Sequence, residues 1–588
     1  MKKYFLILLI SLSATSFWAQ EETPQDTLNT EVINVVKPYS PSISDAFKIK
    51  DKPNTSTTSV PKKVIKYQIS SVPVASTFTP SKGTAQKVKN KKKERLYDNY
   101  ISLGFGNYTT PLIEGYIRLN PTRDSEMGVM LKHHSSQGGI KEVLLDNSFY
   151  DSNVDVYYKS SSRDMDWKVN LGAMHQLYNW YGVLKPQEDE TEIYSKDFLA
   201  DFDTKQRYLN IGLDGEIDYF NSYFKGAKAN VRHFSDAYNS SEFRFRVQPK
   251  VELPLASEII SFDFDIDYLS GAYKDIYTSE SSFSYPKVYN YFNIGVTPSF
   301  KVLREYFSFN LGVKAYFAMD MEQKENAFKI YPNVAISYQL LQDVLTVFAG
   351  ATGGLNHNTY LDATLGNPFV SPNHYSTPTD QVYKAFGGVK GKLASNISYV
   401  FKAYYADEKA KSFYTYNRPR TDGVMTEGIT AYALGNSFST VYDDVKTLGF
   451  SGELAVDLSK TITIGAHADY VTYDLKTLDE AWNLPNVKAT IFSNYHQGKW
   501  TGDAKLFVVG AKKDYVMPFT LVPGEIDFIK TNTTYFDVNA GISYAFSNRL
   551  SAFGKGHNLL GTQYNRYYNY PVQGIQVMAG ITYKFDVL

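Results

Sequence analysis

The sequence reads as an all-β chain: a transmembrane antiparallel β-barrel of the outer-membrane type, with about 22 strands. Three observations carry this. Strand-like segments about ten residues long alternate an apolar face with a polar, often charged one. Every second connection between them is short. Residues 97–588 number 492, which allots about 22 residues to each strand with its connection. Composition agrees. The 588 residues include 48 Tyr, 37 Phe and 5 Trp, and 61 Lys+Arg balance 61 Asp+Glu. Such a polar, tyrosine-rich chain is not a bundle of apolar membrane helices. With no cysteine, disulfide frameworks, thiolate metal sites and cysteine nucleophiles are excluded. Zero net charge gives no general argument for nucleic acid as a partner.

Taken in chain order, the first element is a secretory signal peptide over residues 1–19. Lys2 and Lys3 are its charged start, and Tyr4 to Leu12 its short apolar core. No later stretch approaches 18 apolar residues, so no membrane helix is expected after it. Residues 20–96 follow as an extended or disordered segment, periplasmic or lumenal. Pro38, Pro41, Pro53, Pro61, Pro73 and Pro80 punctuate it, with Ser, Thr and Lys between them. Its end carries Lys87, Lys89, Lys91, Lys92, Lys93 and Arg95, a solvated anchor or a patch for anionic headgroups.

The barrel is read over 97–588. In the last strand Ile575, Val577, Ala579, Ile581, Tyr583 and Phe585 share one face. Gln576, Met578, Gly580, Thr582 and Lys584 share the other. Leu209, Ile211, Leu213, Ile217 and Tyr219 oppose Asn210, Asp214, Glu216 and Asp218 in the same way. A soluble sandwich also alternates, but its strands are usually shorter, about five or six residues. Ten short connections recur at every second position, from Thr122–Ser125 to Ser547–Arg549. Long polar stretches lie between most of them, near 135–147, 184–204, 273–286, 357–380, 412–436 and 514–533. Short turns on the periplasmic side and long loops outside are the outer-membrane pattern. An even strand number puts both ends of the barrel, and so both termini, in the periplasm.

One strand pair shows the wall's charge. Arg244, Arg246 and Lys250 lie on one face of Phe243–Leu255, and the next strand presents Asp263, Asp265 and Asp267. A turn at Ala256-Ser257 sets Lys250 opposite Asp263 and Arg246 opposite Asp267. These six residues are expected to line the lumen, either as a path for a charged solute or as a wall that neutralises itself. Other chemistry is sparse. Glu188, Asp189, Glu190, Glu192, Asp197, Asp201 and Asp203 lack the Asp-x-Asp-x-Asp-Gly spacing of a calcium loop. His133 and His134 are adjacent, so on a strand they point to opposite faces. No catalytic grouping, metal site, cofactor motif or clear helix is legible, and no enzyme activity is expected. Tyr157-Tyr158, Tyr178, Trp180-Tyr181 and Tyr567-Tyr568 sit at strand ends and read as aromatic girdles at the lipid interface.

Two segments and the strand count resemble the TonB-dependent outer-membrane receptor family. Phe553-Gly-Lys-Gly-His-Asn-Leu-Leu-Gly-Thr-Gln-Tyr564, with the final strand to Phe585, is similar to the family's last hairpin. Asn367-Pro-Phe-Val-Ser-Pro372, running into Ala385-Phe-Gly-Gly-Val-Lys-Gly391, is similar to its Asn-Pro-x-Leu-x-Pro loop and the descending strand that follows, here strand 14. A count of 22 strands is the family's own. The resemblance implies uptake of a nutrient or metal complex. It also implies that Glu31, Val32, Ile33, Asn34, Val35 and Val36 form a TonB box, adding as a strand to the periplasmic TonB energy-coupling protein. One departure stands out. Lys37 to Leu96 leaves 60 residues where the family has a globular plug, so the plug is expected to be absent. The alternative is a plugless barrel acting as a structural or interaction subunit of an outer-membrane assembly, secretion or surface-lipoprotein complex. Outer-membrane lipid is a partner on either reading.

Overall fold

The structure is a computed structural model. It describes residues 96–183, 194–200, 202–255, 258–273, 288–372, 376–419, 430–516 and 529–586. The expected signal peptide and the 20–96 segment up to Arg95, with Glu31–Val36 and the Lys87–Arg95 run, lie outside the described residues.

Twenty-two strands form one sheet that closes on itself. Each pairs antiparallel with its neighbours in the chain. The first strand, Asn99–Gly106, pairs with the last, Gln576–Phe585, from Asn99 opposite Phe585 to Gly106 opposite Met578. Closure leaves no unpaired edge, which a bilayer requires because no water there satisfies backbone groups. Two small hairpins stand outside the sheet: Lys512–Tyr515 with Ile529–Asn532, and Asn565–Tyr567 with Tyr570–Pro571. Among the described residues no helix is long and apolar enough to cross a membrane.

Alternation explains the two faces. Leu171, Ile211 and Leu213 are 44–51% exposed, on a ring of strands that offers them only lipid. Between them, Asn170, Asp214 and Asn230 face the other way, with Asn230 Nδ2 donating to Asp214 at 2.6 Å. At one end of the barrel all ten alternate connections are short. Gln497 is followed by only two residues before Trp500, and Gly498 takes a φ of +60°, which a tight turn needs. At the other end most connections are long.

The wall is uneven in height. Ile397–Tyr416 and Phe438–Asp457 run 20 residues each, whereas Asn99–Gly106 and Leu550–His557, near the closing seam, run eight. Two short helices, unforeseen in the sequence, lie in the long loops. They are α1 (Lys196–Ala200) and α2 (Tyr360–Gly366). Each is too brief for a 3.6-residue pattern to emerge. The sign of α2 was its cap: the Thr359 hydroxyl accepts the Asp362 N–H at 3.0 Å.

Candidate functional site

Among the described residues the largest buried core is a cap at the long-loop end, made where loops meet the inner wall. Its wall half comes from Tyr208, Phe234, Leu269, Tyr289 and Tyr291. These share a face with the lumen-side Asn210, Arg232, Asp267 and Asn293 by strict alternation. Its loop half comes from Trp180, Tyr360, Phe369, Val370, Tyr432, Tyr567 and Tyr570. Loops are normally exposed because their backbone needs partners. Here the tyrosines supply them, each with a ring for the core and a hydroxyl for a carbonyl.

The Asn367–Pro372 stretch is the keystone. Tyr208 Oη donates to the Pro368 carbonyl at 2.8 Å, and Ser240 Oγ donates to the Pro372 carbonyl at 2.9 Å. Between them the Phe369 ring stacks on Tyr570 with centroids 3.7 Å apart, and Val370 bridges to Phe438. Neighbouring loops lock on. Tyr570 donates to the Asn436 carbonyl, Tyr567 to Gly366 and Tyr416 to Gly182. Asn436 Nδ2 donates to the Trp180 carbonyl at 2.7 Å, and Tyr181 Oη to Pro571 at 3.0 Å. Asn558 holds the last loop, donating to the Thr562 and Gln573 carbonyls at 3.0 and 2.9 Å. Burial holds the Tyr181, Tyr360 and Tyr570 phenols well above their usual range, so they remain donors at neutral pH.

Five of the strand-end aromatics therefore have a role the sequence did not show. Trp180 and Tyr567 are buried in the cap, and Tyr178, Tyr181 and Tyr568 pack on it, rather than lying at the lipid interface. Tyr157 also turns inward: its hydroxyl meets Tyr116 Oη at 2.6 Å and donates to Glu126. A ring at a strand end serves a girdle or a cap equally well, and only the path of the loops separates the two.

Below α2 lies a cluster of paired charges. Arg244, Arg246, Lys250, Asp263, Asp265 and Asp267 share one face of two paired strands, with Arg246 opposite Asp267 and Lys250 opposite Asp263. The ion pairs run diagonally instead. Arg244 forks onto Asp267 at 2.9 and 2.6 Å, and Arg246 onto Asp265 at 2.8 and 2.8 Å. Lys250 takes Glu252 on its own strand at 2.9 Å. Long side chains reach a diagonal neighbour easily, so the geometry of the guanidinium fork decides the partner.

This cluster is joined to the cap. Glu242, fully buried, accepts from Arg232 at 3.3 Å, Tyr289 Oη at 2.7 Å and the Tyr360 N–H of α2 at 2.6 Å. Tyr360 Oη donates to Asp236 at 2.8 Å. His357, at the start of the same loop, accepts from Asn293 Nδ2 at 2.9 Å and lies 3.8 Å from Asp267. Burial pushes its imidazole down to about 4 despite that carboxylate. His357 escaped the sequence reading because a lone histidine in a loop carries no pattern.

A second buried charge pair sits in the outer hairpin. Asp514 accepts from Asn483 and Asn532 at 2.5 and 2.7 Å, and burial pushes its carboxyl up to about 7. Lys512, beside it, is pushed down to about 8 by burial and donates to the Arg566 carbonyl at 3.2 Å. His133 bonds Ser152 Oγ at 2.7 Å while His134 packs on Phe149, so the two point apart. Among the described residues no group of three or more His, Asp or Glu is disposed to hold a metal ion. Of the acidic loop near 190, only Asp197 and Asp203 are described.

No protein-family model and no curated protein matches the sequence. Solved structures do match the fold. The FrpB iron transporter from Neisseria meningitidis (F3-3 variant) superposes with a TM-score of 0.61 at 8% identity, over 84% of this chain and 82% of its own. The copper transporter OprC gives 0.58 at 11% identity, over 84% and 82%. The pyoverdine outer membrane receptor FpvA from Pseudomonas aeruginosa PAO1, bound to pyoverdine, gives 0.59 at 11% identity, over 84% and 79%. At these identities the likeness is one of fold: the closed 22-strand barrel of the TonB-dependent receptors.

Proposed function

We propose that this chain is an outer-membrane barrel of the TonB-dependent-receptor kind, taking up a nutrient or metal complex. One observation carries the reading: a closed 22-strand barrel whose described loops meet in one buried aromatic core at the long-loop end. A mouth held by many weak interlocking bonds can open when a bound solute replaces some of them. Its fold neighbours, an iron transporter, a copper transporter and a pyoverdine receptor, point to a metal or a metal complex as cargo. On this reading the long loops face outside and both termini lie in the periplasm. Residues 1–19 are removed, 20–96 form the periplasmic or lumenal segment, and 97–588 form the barrel. Glu31–Val36 serve as the TonB box. Arg244, Arg246, Lys250, Asp263, Asp265 and Asp267 line the lumen beneath the cap. Nothing in the arrangement calls for a catalytic step.

Deleting residues 26–39 tests this. The barrel is expected to assemble while uptake-dependent growth is lost; unchanged growth sinks energised uptake. A second reading keeps the barrel and drops the transport. The 60 residues from Lys37 to Leu96 favour it, since they leave little room for a globular plug. The chain is then a subunit of an outer-membrane assembly, secretion or surface-lipoprotein complex. Purification in mild detergent separates the two. A stoichiometric partner supports the second, and a lone barrel argues against it.

A further inference from the structure

Four neighbouring strands, Ser125–Ser136, Phe149–Ser161, Met165–Asn179 and Lys205–Tyr219, carry a row of residues that stand opposite one another: Ser135, Tyr150, Leu177 and Arg207. By alternation the row lies on the outward face. Leu209, Ile211 and Leu213 follow Arg207 on that face, and the buried Tyr208 turns to the lumen side. The row is at the long-loop end, where the strands leave the apolar band. A cleft of about 310 Å³ opens there, lined in part by Thr109, Pro111, Ser135, Tyr150, Leu177 and Lys205. Leu177 is its floor: it is 8% exposed, whereas Leu209 on the same face is 39% exposed.

The charge on this flank has one sign. The outward face of these strand ends carries Lys205, Arg207, His133 and His175, but no Asp or Glu. Asp151 alternates to the lumen side, opposite the buried Gln176. The histidines bond hydroxyls: His133 those of Ser152 and Ser135, at 2.7 and 3.1 Å, and His175 that of Tyr150, at 3.3 Å. Lys205 Nζ reaches Asp203, an exposed carboxylate, at 3.5 Å. Among the described residues Arg207 forms no ion pair. The loop before Lys205 turns away from this flank, because Trp180, Phe198 and Leu199 are buried among other loops. A cation on the lipid side costs little at the level of the headgroups, and there it attracts anionic lipid.

We propose that this cleft binds the phosphate-bearing headgroup of an outer-leaflet lipid. Arg207 and Lys205 take the phosphate. The neutral part of the headgroup fills the cleft over Leu177, between Ser135 and Tyr150, and the acyl chains run down the wall over Leu209, Ile211 and Leu213. The site rests on the proposed function only for its orientation, since it needs the long loops outside. Its volume is at the small end of ligand clefts, which span about 300–1,000 Å³, so it suits one polar group and not a whole lipid. The two cations favour an anionic lipid over a zwitterionic one. Free phosphate shares the charge, but the apolar floor and the membrane-facing position do nothing for it.

The test is a native mass-spectrometric titration of the full chain in detergent with diphosphoryl lipid A, and with the same lipid stripped of its phosphates. The phosphorylated lipid is expected to bind, more weakly with added salt, and the stripped lipid to be lost. Arg207→Gln with Lys205→Gln is expected to weaken binding about tenfold or more, because both charge-assisted contacts go. Arg207→Lys with Lys205→Arg keeps it. Ser135→Phe, which fills the cleft and alters no charge, weakens it as well. Lys228→Gln, at a lumen-side lysine already paired with Glu216, leaves it unchanged. Thermal midpoints check that each variant folds. Equal binding of the stripped lipid, or of lipid A to the double Gln variant, overturns the site. Unchanged binding in Ser135→Phe overturns the role of the cleft. Displacement of the lipid by millimolar inorganic phosphate overturns the lipid in favour of the free ion. The readout is separate from uptake. Growth unaffected by deleting 26–39, with lipid still bound, counts against energised transport alone; lost uptake on that deletion, with no lipid bound, counts against this site alone.

Discussion

On the strands between Phe224 and Ala272 the arginines each hold a carboxylate: Arg232 with Glu242, Arg244 with Asp267, Arg246 with Asp265. Between Leu345 and Tyr416, Lys390 and Lys402 lie over rings, while Lys409 and Lys411 hold Asp407 and Glu408. The difference follows the cap. Glu242 and Asp267 have side chains 0% and 6% exposed, under α2 and His357. A charge shut away from water there needs a partner, because an unpaired one costs several kcal/mol. Lys390 and Lys402 are only half-buried, each with a ring face beneath its ammonium group. The same barrel therefore pairs its most buried charges with carboxylates and leaves half-buried lysines over ring faces.

The contrast breaks most sharply at Asp267. Asp267→Ala strands Arg244 beneath the cap and is expected to cost about 3–5 kcal/mol, read as a lowered midpoint in thermal or denaturant unfolding. Replacing both partners, Arg244→Met with Asp267→Leu, is expected to recover most of that loss. A cost near zero for Asp267→Ala would mean that water reaches the pair.

Next in size is the acid response of His357. Facing it are Asp267, Asp265, Arg244, Arg246, Asn293 and Tyr291. Its folded value of about 4 is below the ordinary 6.5. Between those values the unfolded chain binds the proton and the folded chain does not. Stability is thus expected to fall as pH drops from 6.5 towards 4, by up to about 3 kcal/mol. His357→Gln should flatten that part of the pH–stability curve, and an unchanged curve excludes His357 as its source.

Tyr360→Phe is a smaller break. It removes the bond to Asp236 and is expected to cost about 1–2 kcal/mol. Faster protease cleavage in the 357–378 loop would report it. The smallest effect belongs to the lysines over rings. Lys402→Met loses a half-buried cation over Phe386 and its attraction to Asp469, and is expected to shift stability by about 1 kcal/mol or less. A loss of several kcal/mol would reveal a buried partner and erase the distinction.

Much of the frame was legible because its causes are local. Phe262, Phe264 and Ile266 against Asp263, Asp265 and Asp267 can only be a strand with one wet face. Turns as short as Thr122–Ser125 allow only an antiparallel return. Leu255 and Glu258 are so close in sequence that they also set which residues stand opposite in that pair. Asn367–Pro372 was visible as a motif, though not as the segment whose carbonyls Tyr208 and Ser240 seize.

What stayed hidden depends on residues far apart in the chain. Trp180 and Tyr567 read as lipid-facing because a strand-end ring looks the same on either side of the wall. Arg244 reached past its opposite residue to a diagonal carboxylate, a choice made by side-chain reach and not by register. The sequence alone determined a barrel, its strand number and its two faces, since period, turn length and composition act over a few residues. Only the tertiary structure decided which loops meet in the buried core and which charges are buried beneath them. Those outcomes come from rings and carbonyls that meet after the barrel has brought them together.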